Sequence, residues 1–333
     1  KHEQPNILIV VLDACRADHV GCYGYERKTT PNIDAFARKA ILYRNAYSNC
    51  SWTKPSITSL LTGLDCREHG VQAGFDTLAE DLPYLPAELQ PRGYTTAAFI
   101  HSGFILSSMG YARGVNTFWH LFPNLASNNE LITNGVDVDP DDAVLVNQVI
   151  PFVRETGEPW FAYVHLIGPH TPYRAYIEAE HFGTTNLDLY DGKLRYADTQ
   201  VGRLLATVPG NTIVVITADH GEEFGEHGGA FHGNTLYDEV VHIPLLIRWP
   251  GYTARVEQGL VGLDRISPAL LSGCLPETGG EVQCHLERGW LASGRLTKRL
   301  HRVVTSADIE TNTAPTVDVE TLRREQLEAL GYF

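Results

Sequence analysis

The chain has 333 residues, 43% of them hydrophobic, and a formal net charge of -14 at pH 7. That length suffices to bury a sizeable core in one large domain. So negative a balance excludes nucleic acid duplexes and anionic membrane surfaces as general partners, because both require a positive field, and an anionic ligand would need local cations such as a metal.

No apolar stretch approaches the roughly 20 residues of a membrane span, and the opening KHEQPN has no signal-peptide hydrophobic region. The sequence starts at Lys1 rather than Met, so it says little about export, and a soluble protein of either compartment is compatible. Cysteines at 15, 22, 50, 66, 274 and 284 are too sparse for a disulfide scaffold and form no CxxC knuckle. Cys274 and Cys284 are a pairing candidate across a Gly-rich loop, with free thiols as the alternative.

In chain order, NILIVVL (6 to 12) reads as a buried strand, bounded by turn formers and rich in β-branched residues. Helical spacing follows at TPNIDAFARKA (30 to 40), PSITSLLTG (55 to 63) and DLPYLPAELQPRG (81 to 93). TTAAFI (95 to 100) is a second strand. Residues 103 to 140, rich in Gly, Asn and Ser, read as an irregular insertion that shapes a pocket. A helix at DPDDAVLVNQVIPFVRET (139 to 156), a strand at WFAYVHL (160 to 166), a helix at LYDGKLRYADTQVGRLLATV (189 to 208) and strands at TIVVITA (212 to 218) and PLLIRW (244 to 249) complete the pattern. Strands alternating with helices imply an α/β fold with a mostly parallel sheet. The expected division is a catalytic domain over 1 to 285 and a short extension over 286 to 333 packed on it, ending in a helix at DVETLRREQLEALGYF.

In open parallel sheets, ligands gather beyond the carboxyl ends of the strands. NILIVVL runs into Asp13, TIVVITA into Asp219 and His220, and WFAYV into His165, with His170 beyond it. Two carboxylates and an imidazole from two strand ends suit a divalent cation such as zinc or manganese. Each Asp alone reads equally as a helix cap. In NCSWTKPSITSLLTG, Pro55 near a helix start places Thr53 at the helix mouth, where free amides favour an anion. A simple cap is the plain alternative for Thr53. Lys54 beside it is a substrate-binding candidate.

The ordered motifs NILIVVLDACRADHVGCYGYERKTTPNIDAFA, SWTKPSITSLLTG, GPHTPY, YADTQVGRLL, TADHGEEFGEHG, LYDEVVHIPLLIRWPG and LDRISPALLSG resemble the sulfatase branch of the alkaline phosphatase superfamily over about residues 5 to 275. The resemblance implies a three-layer α/β/α sandwich and a metal-assisted hydrolase or transferase of phosphate or sulfate esters. It carries over Asp13, Thr53, Asp219 and His220 as metal ligands, with Thr53 also the nucleophile, Arg16 as its supporting arginine, and His170 as a substrate contact. His101, after TTAAFI, lies near a further substrate-binding position, although FIHSGF matches the family poorly.

The departures shift the chemistry. Family sulfatases carry a C/S-x-P-x-R motif whose first residue becomes formylglycine; here the motif reads Thr53-Lys54-Pro55-Ser56-Ile57, and Cys50 is no substitute because Trp52 stands in its proline place. Ala14 replaces a frequent second acid, and His232-Gly233 stands near the usual lysine. A threonine nucleophile with HG after the DHGE loop resembles phosphodiesterases and phosphoryl-headgroup transferases. The expectation is a phosphodiesterase or phosphomonoesterase that forms a phosphothreonine on Thr53 and acts on a small-molecule ester. His170 and His232 are then catalytic and substrate-binding candidates. One ion is expected, with His165, His170 and His232 as the candidate set for a second, and Gly168 stands where related chains show a carboxylate. The alternatives are a formylglycine-independent sulfatase, a headgroup transferase, and a pseudoenzyme that only binds. His19, His69, His120, His181 and His242 read as structural or surface residues, Asp18 as a cap or buttress of the RADHVGCYG loop, Glu222 and Glu223 as solvent-facing or bracing, and His227 as loop support or a neighbour of the ligands.

Overall fold

The computed structural model describes residues 4–121, 141–173, 175, 180–287 and 299–308. Its strands are β1 (Asn6–Leu12), β2 (Ile41–Tyr47), β3 (Thr95–Ile100), β4 (Thr117–His120), β5 (Trp160–Leu166), β6 (Thr212–Ala218), β7 (His242–Ile243), β8 (Leu245–Arg248), β9 (Arg255–Gly262), β10 (Glu281–Glu287) and β11 (Arg299–Thr305). The helices are α1 (Pro31–Ala37), α2 (Thr53–Thr62), α3 (Cys66–His69), α4 (Leu85–Leu89), α5 (Asp142–Glu155), α6 (Asn186–Leu205), α7 (Asp238–Val241) and α8 (Ile266–Ser272).

Strands β1 to β9 form one sheet in the order β4-β3-β5-β1-β6-β8-β2-β7, with β9 also on β2. From β4 to β6 the strands run parallel; β8 runs antiparallel between β6 and β2. All seven residues of β1, β5 and β6 are buried, as continuous apolar runs must be when helices cover both faces. The helices form two groups, α1 and α5 on α6, and α2 and α4 on α8, which gives the three-layer α/β/α sandwich.

Some local expectations change. Only Leu85–Leu89 of the 81 to 93 stretch is α-helical, and a 3-10 turn at Gln90–Arg92 follows, because Pro91 interrupts the amide ladder. The described part of the 103 to 140 insertion contains a short turn at Ser107–Met109 and β4; the rest, like the 318 to 333 helix, lies outside the described residues. Strands β2 and β9 carry no clean apolar run, and the sequence reading passed over both. A division at 285 would cut β10, whose residues pair with β11 across it. Both strands of that hairpin contribute to a hydrophobic cluster with Tyr47, Leu236, Val241 and Leu260. Cys274 and Cys284 are free; the disulfide is Cys50–Cys66, joining the segment before Thr53 to α3.

Candidate metal centre and active site

Sheet register assembles the first half of the site. Leu12 pairs with Leu166 on one side and Ala218 on the other, so Asp13 and Asp219 emerge side by side. Val11 pairs with His165, and because paired residues share a face and alternate along a strand, Asp13 falls on the face of His165. The contacts agree: His165 Nε2 donates to Asp13 Oδ2 at 3.1 Å, and His165 Nδ1 accepts the Tyr163 hydroxyl at 2.7 Å. Asp13, His165 and Asp219 form one group with metal-ligating atoms within 4.8 Å of each other.

Ala14 follows in a left-handed conformation, φ 59°, a costly choice for a residue with a Cβ. It turns the Ala14 amide onto Asp219 Oδ1 at 3.1 Å, where the His220 amide also donates at 2.9 Å.

The opposite carboxylate oxygens, Asp13 Oδ1 and Asp219 Oδ2, are buried without a hydrogen-bond partner. His220 Nε2 lies 3.5 Å from the first, 3.4 Å from the second and 3.2 Å from Thr53 Oγ1. Since His220 Nδ1 donates to the Gly221 carbonyl at 2.8 Å, Nε2 presents a lone pair. Four electron-rich atoms therefore converge, an arrangement that a divalent cation completes. Burial, then the neighbouring Asp13 charge, pushes Asp219 up to about 7. Burial opposes the charge of Asp13 too, but the imidazoles of His170, His165 and His220 outweigh it and hold that group below the usual carboxylate range. Thr53 is the first residue of α2, with Trp52 as the cap residue, so the helix begins two residues earlier than PSITSLLTG suggests. Its hydroxyl stands at the positive end of the helix dipole.

Loops build the second half. The rings of His170 and His232 lie 5.0 Å apart, and that of His232 lies 4.1 Å from His220. Burial depresses His232 to about 4 and pulls His170 below its ordinary value. His232 Nδ1 donates to Glu222 Oε1 at 2.8 Å, and the Tyr173 hydroxyl donates to Glu222 Oε2 at 2.6 Å, leaving His232 Nε2 for the site. Phe231, just before it, has φ 66°, and the Gly233 amide donates to the Ser51 carbonyl at 2.8 Å, so the His232 segment is tied directly to the Thr53 segment. Glu222 and Glu223 are thus buried braces rather than solvent-facing groups.

Several residues singled out in the sequence lie elsewhere. The Arg16 guanidinium is committed to Asp18, Glu226 and the Glu222 carbonyl; it braces the 222 to 226 loop, and Asp18, as its partner, is a buttress of its own loop. Lys54 is fully buried, with Nζ donating to the Gly74 carbonyl at 2.6 Å and touching Met109 Sδ at 2.9 Å, so it turns away from Thr53. His101 lies 3.5 Å from Asp142 Oδ1. His165, His170 and His232 do not form a second ligand set among the described residues, because both nitrogens of His165 are engaged by Asp13 and Tyr163. His19, His69 and His242 are bound to Asp191, Ser59 and the Arg44 carbonyl, His120 to the Ser102 carbonyl, and His181 is exposed. His227 pairs with Glu239 and stacks on Tyr237. The sequence reading missed Tyr163, Tyr173, Tyr190 and Lys193; the trace of Tyr163, Tyr190 and Lys193 is a polar group inside an otherwise apolar strand or helix face, and Tyr173 lies in the loop after β5.

Sandwich and donor set together define an alkaline phosphatase-like α/β protein. The chain belongs to the sulfatase family, whose model, described as Sulfatase, matches residues 5–273. It is 25% identical to an endo-4-O-sulfatase of Bacteroides thetaiotaomicron, over 82% of this chain and 70% of that protein. It is 24% identical to the iduronate 2-sulfatase of Homo sapiens, over 76% of this chain and 61% of that protein. Against the ulvan-active sulfatase of Formosa agariphila it spans only 49% of the relative's length. The phosphonate monoester hydrolase of Agrobacterium radiobacter shares the fold, with a TM-score of 0.70 at 18% identity over 98% of this chain and 94% of that one. Among the described residues no helix is long and apolar enough to cross a membrane.

Proposed function

We propose that the protein is a metal-dependent hydrolase of phosphate esters, phosphodiesters foremost, with Thr53 as the nucleophile. The observation that carries this reading is the convergence of Thr53 Oγ1 and His220 Nε2, 3.2 Å apart, with the two unpartnered oxygens of Asp13 and Asp219. Asp13, Asp219, His220 and Thr53 would hold one divalent ion, zinc or manganese. When bound, that ion lowers the pKa of a coordinated hydroxyl and offsets charge on the phosphoryl oxygens.

Thr53 Oγ1 then forms a bond to phosphorus in line with the departing ester oxygen. The first amides of α2 face the equatorial oxygens. His232, aligned by Glu222, and His170 each present an Nε2 lone pair; they are placed to take the Thr53 proton as the Oγ1–P bond forms and to hand it to the leaving oxygen as the ester P–O bond breaks. Water releases the phosphothreonine, restoring the hydroxyl.

Charge balance favours a monoanionic substrate. A dication against two carboxylates leaves no net charge, burial keeps His170 and His232 neutral near pH 7, and Lys54 and Arg16 point away. Among the described residues, a dianionic monoester would find neither of these two cations turned toward it. Sulfate monoesters are also monoanions and the curated relatives are named sulfatases, so a sulfatase working without formylglycine is the second reading. The test is turnover of phosphate monoesters, diesters, phosphonate monoesters and sulfate esters by wild type and Thr53→Ala at defined metal content. The proposal expects diesters to lead, turnover to collapse in Thr53→Ala, and a phosphorylated Thr53 peptide after rapid quench. Full activity in Thr53→Ala would remove the covalent route; sulfate esters alone being cleaved would favour the second reading.

A further inference from the structure

We infer that one face of α6 is the jig that sets the His170 loop against the strand-end cluster, and that Lys193 is a positioning residue for His170. The inference rests on the role given to His170 above. Positions three and four apart share a helix face, and α6 presents Tyr190, Lys193 and Ala197 in that spacing. Tyr190 reaches the Asp13 turn, where its hydroxyl donates to the Ala14 carbonyl at 2.8 Å and accepts from the Arg16 amide at 2.9 Å. One turn on, Lys193 Nζ donates to the carbonyls of His170 at 2.6 Å and Pro172 at 3.1 Å. One further turn on, Ala197 closes on the loop's start: a Cβ on Gly168 would lie 3.1 Å from that of Ala197 and 2.9 Å from Asp142 Oδ2.

The other anchor of the loop is Asp142 on α5, whose oxygens accept the amides of Ile167 at 2.8 Å and Gly168 at 3.1 Å. A carboxylate thus grips the amides at one end and an ammonium grips the carbonyls at the other, and the two groups are 2% and 1% exposed. Burying charge is costly, and packing alone would be served by an apolar side chain. What the ammonium adds is direction, since it fixes the carbonyl of His170 itself and that of Pro172 two residues on, and so the backbone leaving the imidazole. Within the loop, His170 Nδ1 donates to the Thr171 carbonyl at 2.5 Å, which leaves Nε2 as the nitrogen that α6 places. The helix therefore ties two segments remote in sequence to one rigid element, and their separation is set by one helical turn.

A mutant cycle on dibenzyl phosphate, whose alcohol leaving group needs a proton, tests this, using wild type, Lys193→Met, His170→Ala and the double variant, with metal content and thermal midpoint measured for each. The expected loss in kcat for Lys193→Met is about 10- to 100-fold, the cost of a misplaced group, and similar to that for His170→Ala. The double variant is expected to be within about threefold of His170→Ala, because a positioning residue has nothing left to position. Lys193→Arg restores much of the rate, and metal content is unchanged, as Tyr190 still holds the Asp13 turn. Losses that multiply in the double variant, or full kcat in Lys193→Met beside a slow His170→Ala, overturn the inference. If Lys193→Met does not fold, Lys193→Gln takes its place in the same cycle. Full turnover by His170→Ala removes the role of His170 and the positioning role with it. If wild type cleaves no ester, the proposed function fails separately, and the imidazole NMR signals of His170 decide: a shift in Lys193→Met supports the clamp and unchanged signals overturn it.

Discussion

The two halves of the site are built by different means. Asp13, His165 and Asp219 are placed by the register of three central parallel strands, so their spacing follows from the ladder itself. His170 and His232 sit on loops, and their places depend on polar anchors donated from a distance: Lys193 and Asp142 for one, Glu222 and the Ser51 carbonyl for the other. A ladder distributes a perturbation over many bonds, whereas an anchored loop concentrates it in one or two. The ligand half should therefore respond to substitutions as a switch, the histidine half by degrees.

The largest effect is expected on the ladder side. Asp219→Asn should abolish stoichiometric divalent metal and lower turnover by about 10³-fold or more, read by elemental analysis and initial rates on one preparation. Retained metal would place the ion elsewhere. On the loop side, His232→Ala should keep its metal yet slow the release of poorly acidic leaving groups by about 10²-fold, with little effect on p-nitrophenol. Equal losses on both leaving groups would count against proton transfer. Glu222→Gln should follow the same pattern more weakly, by about tenfold.

Smaller, but of determined sign, are two effects on stability. In metal-free protein, burial and the neighbouring Asp13 charge push Asp219 up to about 7, well above the ordinary carboxylate range. Between roughly pH 4 and 7 the folded state holds a proton that the unfolded state has lost, so this group's contribution falls as pH rises. Metal-free wild type should lose stability relative to Asp219→Asn across that window, and added divalent ion should reverse the trend in wild type alone. Lys54 is the converse case, with burial lowering it to about 8 from 10.5. The unfolded state binds more protons between those values, so the penalty is full below pH 8 and fades as pH rises toward 10.5. The stability difference between wild type and Lys54→Met should drift in favour of wild type over that interval, while turnover stays within about threefold.

The same contrast governs what could be read from the sequence. Residues placed by a strand's end were legible because an apolar run that stops at an acid marks both the strand and the place where neighbouring strand ends bring polar groups together; Asp13, Asp219 and His220 are of this kind. Thr53 was legible because Pro55 marks a helix start. Arg16 and Lys54 misled, because a cation next to a ligand in sequence need not face it in space. Glu222 was read as a brace or as solvent-facing, and only its burial against His232 and Tyr173 decides between them. Lys193 lay in a correctly read helix, but the loop it serves is 23 residues away, beyond any local pattern. β2 and β9 escaped because their alternation is broken by partly exposed positions.

The hairpin of β10 and β11 has a consequence for how the protein is made. The Asn49 carbonyl accepts the His285 amide at 2.7 Å, the Asn49 side chain bonds to the Gln283 carbonyl 234 residues later in the chain, and Arg302 donates to the Leu236 carbonyl. The segment leading to Thr53 thus waits for 234 further residues before the Gln283 carbonyl exists. Central strand β1 waits likewise for β5 and β6. Such long sequence separations slow folding and lengthen exposure of unpaired edges. Nascent chains should therefore order the segment before Thr53 only after the hairpin has been made, and chaperone dependence should be concentrated in that interval.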